Sequence, residues 1–219
     1  MTWDTEFALS IMPLLLKGFL ITIKATAAGS VLALVLGLVL ALCAYAPLSV
    51  VRRVAFALTE LLRRTPLLVH LYILFFALPE LGITLSPLTA GIAALGLHTG
   101  SYMSAVYQAG ISAVPVGQWE AARALQYSRT DLWARIVLPQ AIPIMIPALG
   151  NYILLMFKES AILSVIAVPE AMQTALSLGN KTYRYLEAVT VVGFLYLAIS
   201  LPVAAALRWL ERRYVTSPH

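Results

Sequence analysis

Long apolar runs alternate with short polar stretches along this chain. The first run extends from about Leu14 to Leu42. Crossing the hydrocarbon core of a bilayer takes roughly 20 apolar residues in a helix, so this run predicts a membrane span. Four more can be drawn, at about 56–78, 88–111, 142–168 and 188–207. The expected fold class is therefore all-α: a polytopic membrane protein of about five transmembrane helices, one domain over residues 1–219. Within the first run Ala25, Gly29, Ala33, Gly37 and Ala41 recur every four residues. That spacing puts them on one helix face, where small side chains let a second helix approach closely.

The polar stretches divide into three kinds. Pro79–Pro87 reads as a turn-rich loop and Pro169–Glu187 as a polar loop. The stretch 112–139 is the least hydrophobic of the chain, yet it is helix-patterned. Trp119, Ala122 and Leu125 or Gln126 fall at helical spacing, and Ser128 followed three residues later by Asp131 resembles a capping box. Two short helices joined by a turn near Gln126–Tyr127 are expected. Such a loop forms a rigid knob whose Glu120 and apolar face would suit a groove on another protein.

Composition strengthens the membrane reading. The chain is 61% hydrophobic and 11% charged, with mean hydropathy +0.87, against about 25% charged in a soluble domain. The net charge of +5 comes from basic residues scattered between apolar runs, with no basic stripe and interleaved aromatics, so no nucleic-acid partner is expected. Arg52, Arg53, Arg63, Arg64, Arg123, Arg129, Arg135, Arg208, Arg212 and Arg213 fall on one side of the predicted spans, and mainly Lys181 and Arg184 on the other. The positive-inside rule makes the first side cytoplasmic, with the N-terminus out and the C-terminus in. Asp4 and Glu6 precede the first run in place of the basic head of a cleaved leader, so that run is expected to remain as a span.

Little catalytic chemistry is visible. Cys43 is the only cysteine, which excludes an internal disulfide. There is no phosphate-binding loop for ATP and no HExxH helix, and His70, His98 and His219 look too dispersed for a metal centre. No catalytic residue, metal or cofactor is expected. Ionisable groups inside a span cost several kcal/mol unless paired or facing a water-filled path, which singles out Lys158 and Glu159. They are expected near a translocation path, or in a structural ion pair at a helix break. His98, Ser101 and Tyr102 in the polar third span could line the same path. Lys24 can snorkel along its own stem, and His70 is expected to be structural.

Glu120-Ala121-Ala122, followed eighteen residues after Glu120 by Leu138-Pro139, resembles the EAA loop of bacterial ABC-importer permeases. Arg64-Thr65-Pro66-Leu67-Leu68 is similar to the R-x-T-P-L-L motif of polar amino-acid permeases, and Lys158-Glu159-Ser160 to their K-[DE]-[TS] triplet. Gly150-Asn151 and Arg184-Tyr185-Leu186-Glu187 look closest to ectoine and hydroxyectoine permeases. The resemblance implies a permease subunit in the bacterial cytoplasmic membrane, importing a polar amino acid or similar zwitterionic solute. It implies coupling through Glu120, Ala121, Ala122, Gln126, Leu138 and Pro139 to two copies of an ATPase subunit. A second permease copy or paralogue and a periplasmic or lipid-anchored solute-binding protein complete the expected assembly. Two departures stand out. Gln126 occupies a position usually glycine, so either the turn shifts toward Tyr127 and Ser128 or Gln126 takes up the strain. Ala105 and Gln108 replace Glu and Arg, which implies less fixed charge around the solute. A self-sufficient secondary transporter is the alternative, but no segment recurs as the internal repeat that would announce one.

Overall fold

The structure, a computed structural model, describes residues 3–214. The longest helix among them is α1 (Thr5–Ala44), which Asp4 starts by accepting the Phe7 N–H at 3.0 Å. At 1.5 Å per residue its 40 residues extend about 60 Å, roughly twice the hydrocarbon thickness of a bilayer. The helix begins well before Leu14 because the capped, acidic first turn supplies polar partners that an apolar run lacks.

A bent pair follows. α2 (Ser49–Arg64) and α3 (Leu67–Tyr72) meet at Thr65–Pro66, and α3 runs on through a π segment (Ile73–Ala77) and a 3-10 turn (Leu78–Leu81). The two arms turn by 103°, so the span expected at 56–78 is not one straight helix. Pro66 forces the residue before it out of the helical region, and Thr65 is extended at φ −94°, ψ 129°.

The polar third run forms α4 (Pro87–Ser112), started by the Ser86 hydroxyl accepting the Thr89 N–H. α1, α2 and α3 pack against it. The small-residue face of α1 makes the principal seam: Ala25, Gly29, Ala33, Gly37 and Ala41 are all buried. A Cβ on Gly37 would come within 2.8 Å of the Gly100 carbonyl oxygen, so the two backbones are in near contact.

After α4 come α5 (Val116–Ala124) and the single turn α6 (Arg129–Asp131). From there the chain stays helical through a π segment (Leu132–Val137) into α7 (Leu138–Glu159), which also packs on α4, and then tightens into a 3-10 segment (Ser160–Ile166). The expected span at 142–168 thus covers the C-terminal part of a longer helical stretch, Arg129–Ile166, that changes pitch three times.

Pro169–Glu187, expected as a polar loop, is mostly the helix α8 (Ala171–Thr182), lying against α1 and α9 (Tyr185–Tyr214). The correction has a physical cause. Burial of Ala171, Ala175 and Gly179 on one face, and a buried carboxylate at the helix start, stabilise a segment whose composition alone looks loop-like.

Among the described residues, three helical stretches are long and apolar enough to cross a membrane: Thr5–Ala44, Arg129–Ile166 and Tyr185–Arg213. The bent pair makes a fourth if counted as one. α4 is long enough at 26 residues, but Thr99, Ser101, Tyr102, Ser104 and Gln108 dilute its hydropathy.

Candidate functional site

Of the six positions expected to couple the chain to a partner, Ala122 alone is buried. It packs with Ile111, Val114, Leu132, Val137, Ala141 and Met145 in a small core of its own. Trp119 and Trp133 meet edge to face at 5.6 Å on its flank. Glu120, Ala121, Gln126, Leu138 and Pro139 stay exposed, and Leu125 beside them is 71% exposed. The knob is rigid because its own core holds it, and it presents an acid and apolar side chains outward.

Backbone geometry fixes the turn. Gln126 has φ +55°, the left-handed region. Its N–H donates to the Arg123 carbonyl and the Tyr127 N–H to the Ala122 carbonyl, each at 3.0 Å. This is the paired ending of a Schellman motif, which normally puts glycine where Gln126 stands. The turn has not shifted; Gln126 takes the strain. The next helix starts as expected, with the Ser128 hydroxyl accepting the Asp131 N–H at 3.1 Å and donating to the Asp131 carboxylate at 2.6 Å.

The path candidates separate into two groups. Tyr102 donates its hydroxyl to the Arg63 carbonyl at 3.0 Å, stacks on Tyr152 at 5.7 Å and meets His98 edge to face at 5.2 Å. His98 in turn lies 5.4 Å from His70, ring centre to ring centre. Two histidines that look dispersed in sequence are therefore neighbours, because α3 folds back onto α4. His219 lies outside the described residues. Ser101 is fully buried, and its hydroxyl closes on the His98 carbonyl at 2.6 Å. Among the described residues, no three His, Cys, Asp or Glu side chains gather as a metal site would require.

Lys158, Glu159 and Ser160 sit where α7 tightens into the 3-10 segment. Lys158 is exposed and borders a groove with Met172, Val189 and Tyr196; Glu159 is half-buried. Among the described residues neither makes a salt bridge within 4.0 Å, so they are not a direct ion pair with each other. Ser160 is buried, donating to the Phe157 carbonyl and lying 3.2 Å from the Tyr196 hydroxyl.

Tyr196 leads to a residue that sequence reasoning missed. Glu170 is fully buried at the start of α8. Its carboxylate accepts the Met172 N–H at 2.9 Å, the Gln173 N–H at 2.7 Å and the Thr22 hydroxyl at 3.2 Å, with the Tyr196 hydroxyl at 3.5 Å. The Thr22 oxygen accepts the Ala171 N–H in return. An acid just before an amphipathic stretch is a helix-start signal, but its burial depends on α1 and α9 arriving from either side.

Residues 33–216 match the family of binding-protein-dependent transport system inner membrane components. The chain belongs to that family. It is a permease component, and membership implies a membrane setting and a separate ATPase partner. The permease is 39% identical over 215 residues to the "Probable amino-acid ABC transporter permease protein y4tG" of Sinorhizobium fredii, with 96% of this chain and 93% of the relative covered. It is 34% identical over 214 residues to the arginine transport system permease protein ArtQ of Bacillus subtilis, covering 97% and 98%. Among solved structures, an amino acid ABC transporter crystallised with histidines shares 34% identity at a TM-score of 0.91, over 97% of this chain and 100% of the other. The inward-facing MetNI methionine ABC transporter shares the fold, with a TM-score of 0.76 at 19% identity, over 94% and 98% of the two chains.

Proposed function

We propose that this permease is the translocating subunit of an importer for a polar amino acid or a similar zwitterionic solute, with ectoine-like compatible solutes included in that class. The observation that carries the reading is the knob around Glu120. It is an exposed acid and apolar surface, held by its own small core, continuous through the helical stretch Arg129–Ile166 with the membrane-spanning region. A push on such a knob is transmitted as motion of a rigid element.

In this reading Glu120, Ala121, Leu138 and Pro139 meet the ATPase, while Ala122 and Gln126 fix the shape of the surface. Two ATPase copies and a second permease copy or paralogue surround the path. A periplasmic or lipid-anchored binding protein delivers the solute to the face nearest the N-terminus, which lies outside; the C-terminus lies inside. Residues 1–219 act as one transmembrane domain with five crossings, α4 and the bent pair included. Lys158, Glu159 and Ser160 on one side, and His98, Ser101 and Tyr102 on the other, stand on or behind the walls of the path. The names of the relatives, which concern amino acids, support the solute class.

The test is purification of the tagged chain from its native membrane in mild detergent, with ATP hydrolysis assayed against a panel of amino acids and ectoine. Wild type should bring an ATPase with it, and Glu120→Lys should strip that ATPase away or leave it unresponsive to solute. A chain that purifies without ATPase even after cross-linking would end the proposal.

A further inference from the structure

Between α1, α2 and α4 lies a cavity of about 310 Å³, lined in part by Leu40, Thr59, Glu60, Arg63, Ala105 and Gln108. Its volume is at the small end of ligand-sized cavities, which run from about 300 to 1,000 Å³. The charges around it do not balance. Glu60 is held tightly by Arg64, at 2.7 Å, and only loosely by Arg63, at 3.7 Å. Two guanidinium groups thus face one carboxylate, and no other acid lines the cavity among the described residues.

Arg63 is the cation left in excess. Its Nε is buried and has no hydrogen-bond partner. Its other neighbour is the face of the Tyr102 ring, 6.0 Å from the guanidinium carbon. The side chain as a whole is 33% exposed, so solvent reduces the cost of that orphan donor, and the guanidinium stays accessible to an incoming acceptor. Gln108 adds a neutral amide whose Nε2 is already engaged by Ser104 at 3.1 Å.

We infer that this cavity receives an oxyanion at Arg63, and that in the working permease the oxyanion is the carboxylate of the transported solute. The inference rests on the importer reading and deepens it by assigning the carboxylate end of the solute to a residue. Planar, forked guanidinium donors match a carboxylate in two parallel hydrogen bonds. Glu60 keeps the orphan charge to one unit, so a singly charged group satisfies the site. The phosphate of an anionic lipid has the same chemistry and is the competing occupant.

The assembled transporter, carrying Cys43→Ala and Ala105→Cys, is reconstituted into phosphatidylcholine vesicles. The new thiol is modified by a sulfonate-bearing and by a trimethylammonium-bearing methanethiosulfonate of similar size. The sulfonate reagent is expected to react about tenfold faster, and Arg63→Gln should abolish that preference. A mixture of L-amino acids should slow the sulfonate reaction, whereas the same amino acids as α-carboxamides should not. Equal rates for the two reagents, or equal protection by the carboxamides, would overturn the inference. So would a sulfonate preference that disappears when phosphatidylglycerol is added, since that marks a lipid headgroup as the occupant. The introduced thiol reports without any transport, so absent uptake in a chain that still shows charge preference and carboxylate protection strikes the importer reading alone. Arg63→Lys, which keeps the charge, should retain the reagent preference, and its behaviour separates loss of charge from loss of fold.

Discussion

Thr22 in α1 and Glu170 at the head of α8 are 148 residues apart in sequence and 3.2 Å apart in space. The Thr22 hydroxyl donates to the Glu170 carboxylate and accepts the N–H of Ala171, the first residue of α8. The contact joins the longest helix to the short helix that composition disguises as a loop. Tyr196 adds α9 to the same carboxylate.

Glu170→Ala should therefore loosen the assembly of α1, α8 and α9. It removes the helix cap, worth about 1 kcal/mol, and leaves buried donors unsatisfied at about 1–3 kcal/mol. A drop in the detergent melting temperature is the expected readout, with Thr22→Val causing a smaller one. Additive losses in the double variant would show that the two residues act independently and would refute the coupling.

At the α1–α4 seam, Gly37→Val should be worse than any substitution on the lipid-facing side of α1. A side chain there must displace the Gly100 backbone, not a flexible tip, and overpacking of this kind costs about 1–3 kcal/mol or more. Folded yield by size-exclusion chromatography checks it, with Val39→Leu, on the exposed side, as the comparison.

Gln126→Gly should stabilise the knob. A non-glycine residue in the left-handed region costs about 1 kcal/mol or more, and part of that gain is offset by the freedom glycine adds to the unfolded chain, leaving roughly 0.5 kcal/mol. Gln126→Val should act in the opposite sense. Protease resistance of the 116–137 segment is a direct measure, and identical cleavage of wild type and both variants would contradict the strain.

Asp4 ties the start of α1 to the start of α9 through Arg184, 2.6 Å from its carboxylate. The Phe7 N–H, and after it the Arg184 guanidinium, hold the Asp4 carboxyl below its ordinary value of 3.8. A carboxyl lowered on folding contributes stability that is fully present above its unfolded value and lost as pH falls through the folded one. Wild type should therefore exceed Asp4→Asn in melting temperature at neutral pH, with the gap closing below about pH 4. A gap of constant size down to about pH 3 would show that the carboxylate charge is not the source.

What the sequence determined by itself was whatever depends on local pattern. The apolar runs, the small-residue stripe on α1, the Ser128–Asp131 helix start and a turn near Gln126–Tyr127 all follow from spacing within one or two helical turns; the structure shows them and puts the left-handed residue of the turn at Gln126. Tertiary structure decided what depends on partners far along the chain. Residues 56–78 read as one span, and it is the fold that bends the chain by 103° at Thr65–Pro66 and lays α3 against α4. Burial of Glu170, the meeting of His70 with His98, and the surplus charge of Arg63 arise only when separate helices pack together. The physical reason is the same in each case: a backbone reads its neighbours through short-range hydrogen bonds and dihedral limits, whereas burial and electrostatic imbalance belong to the space between elements.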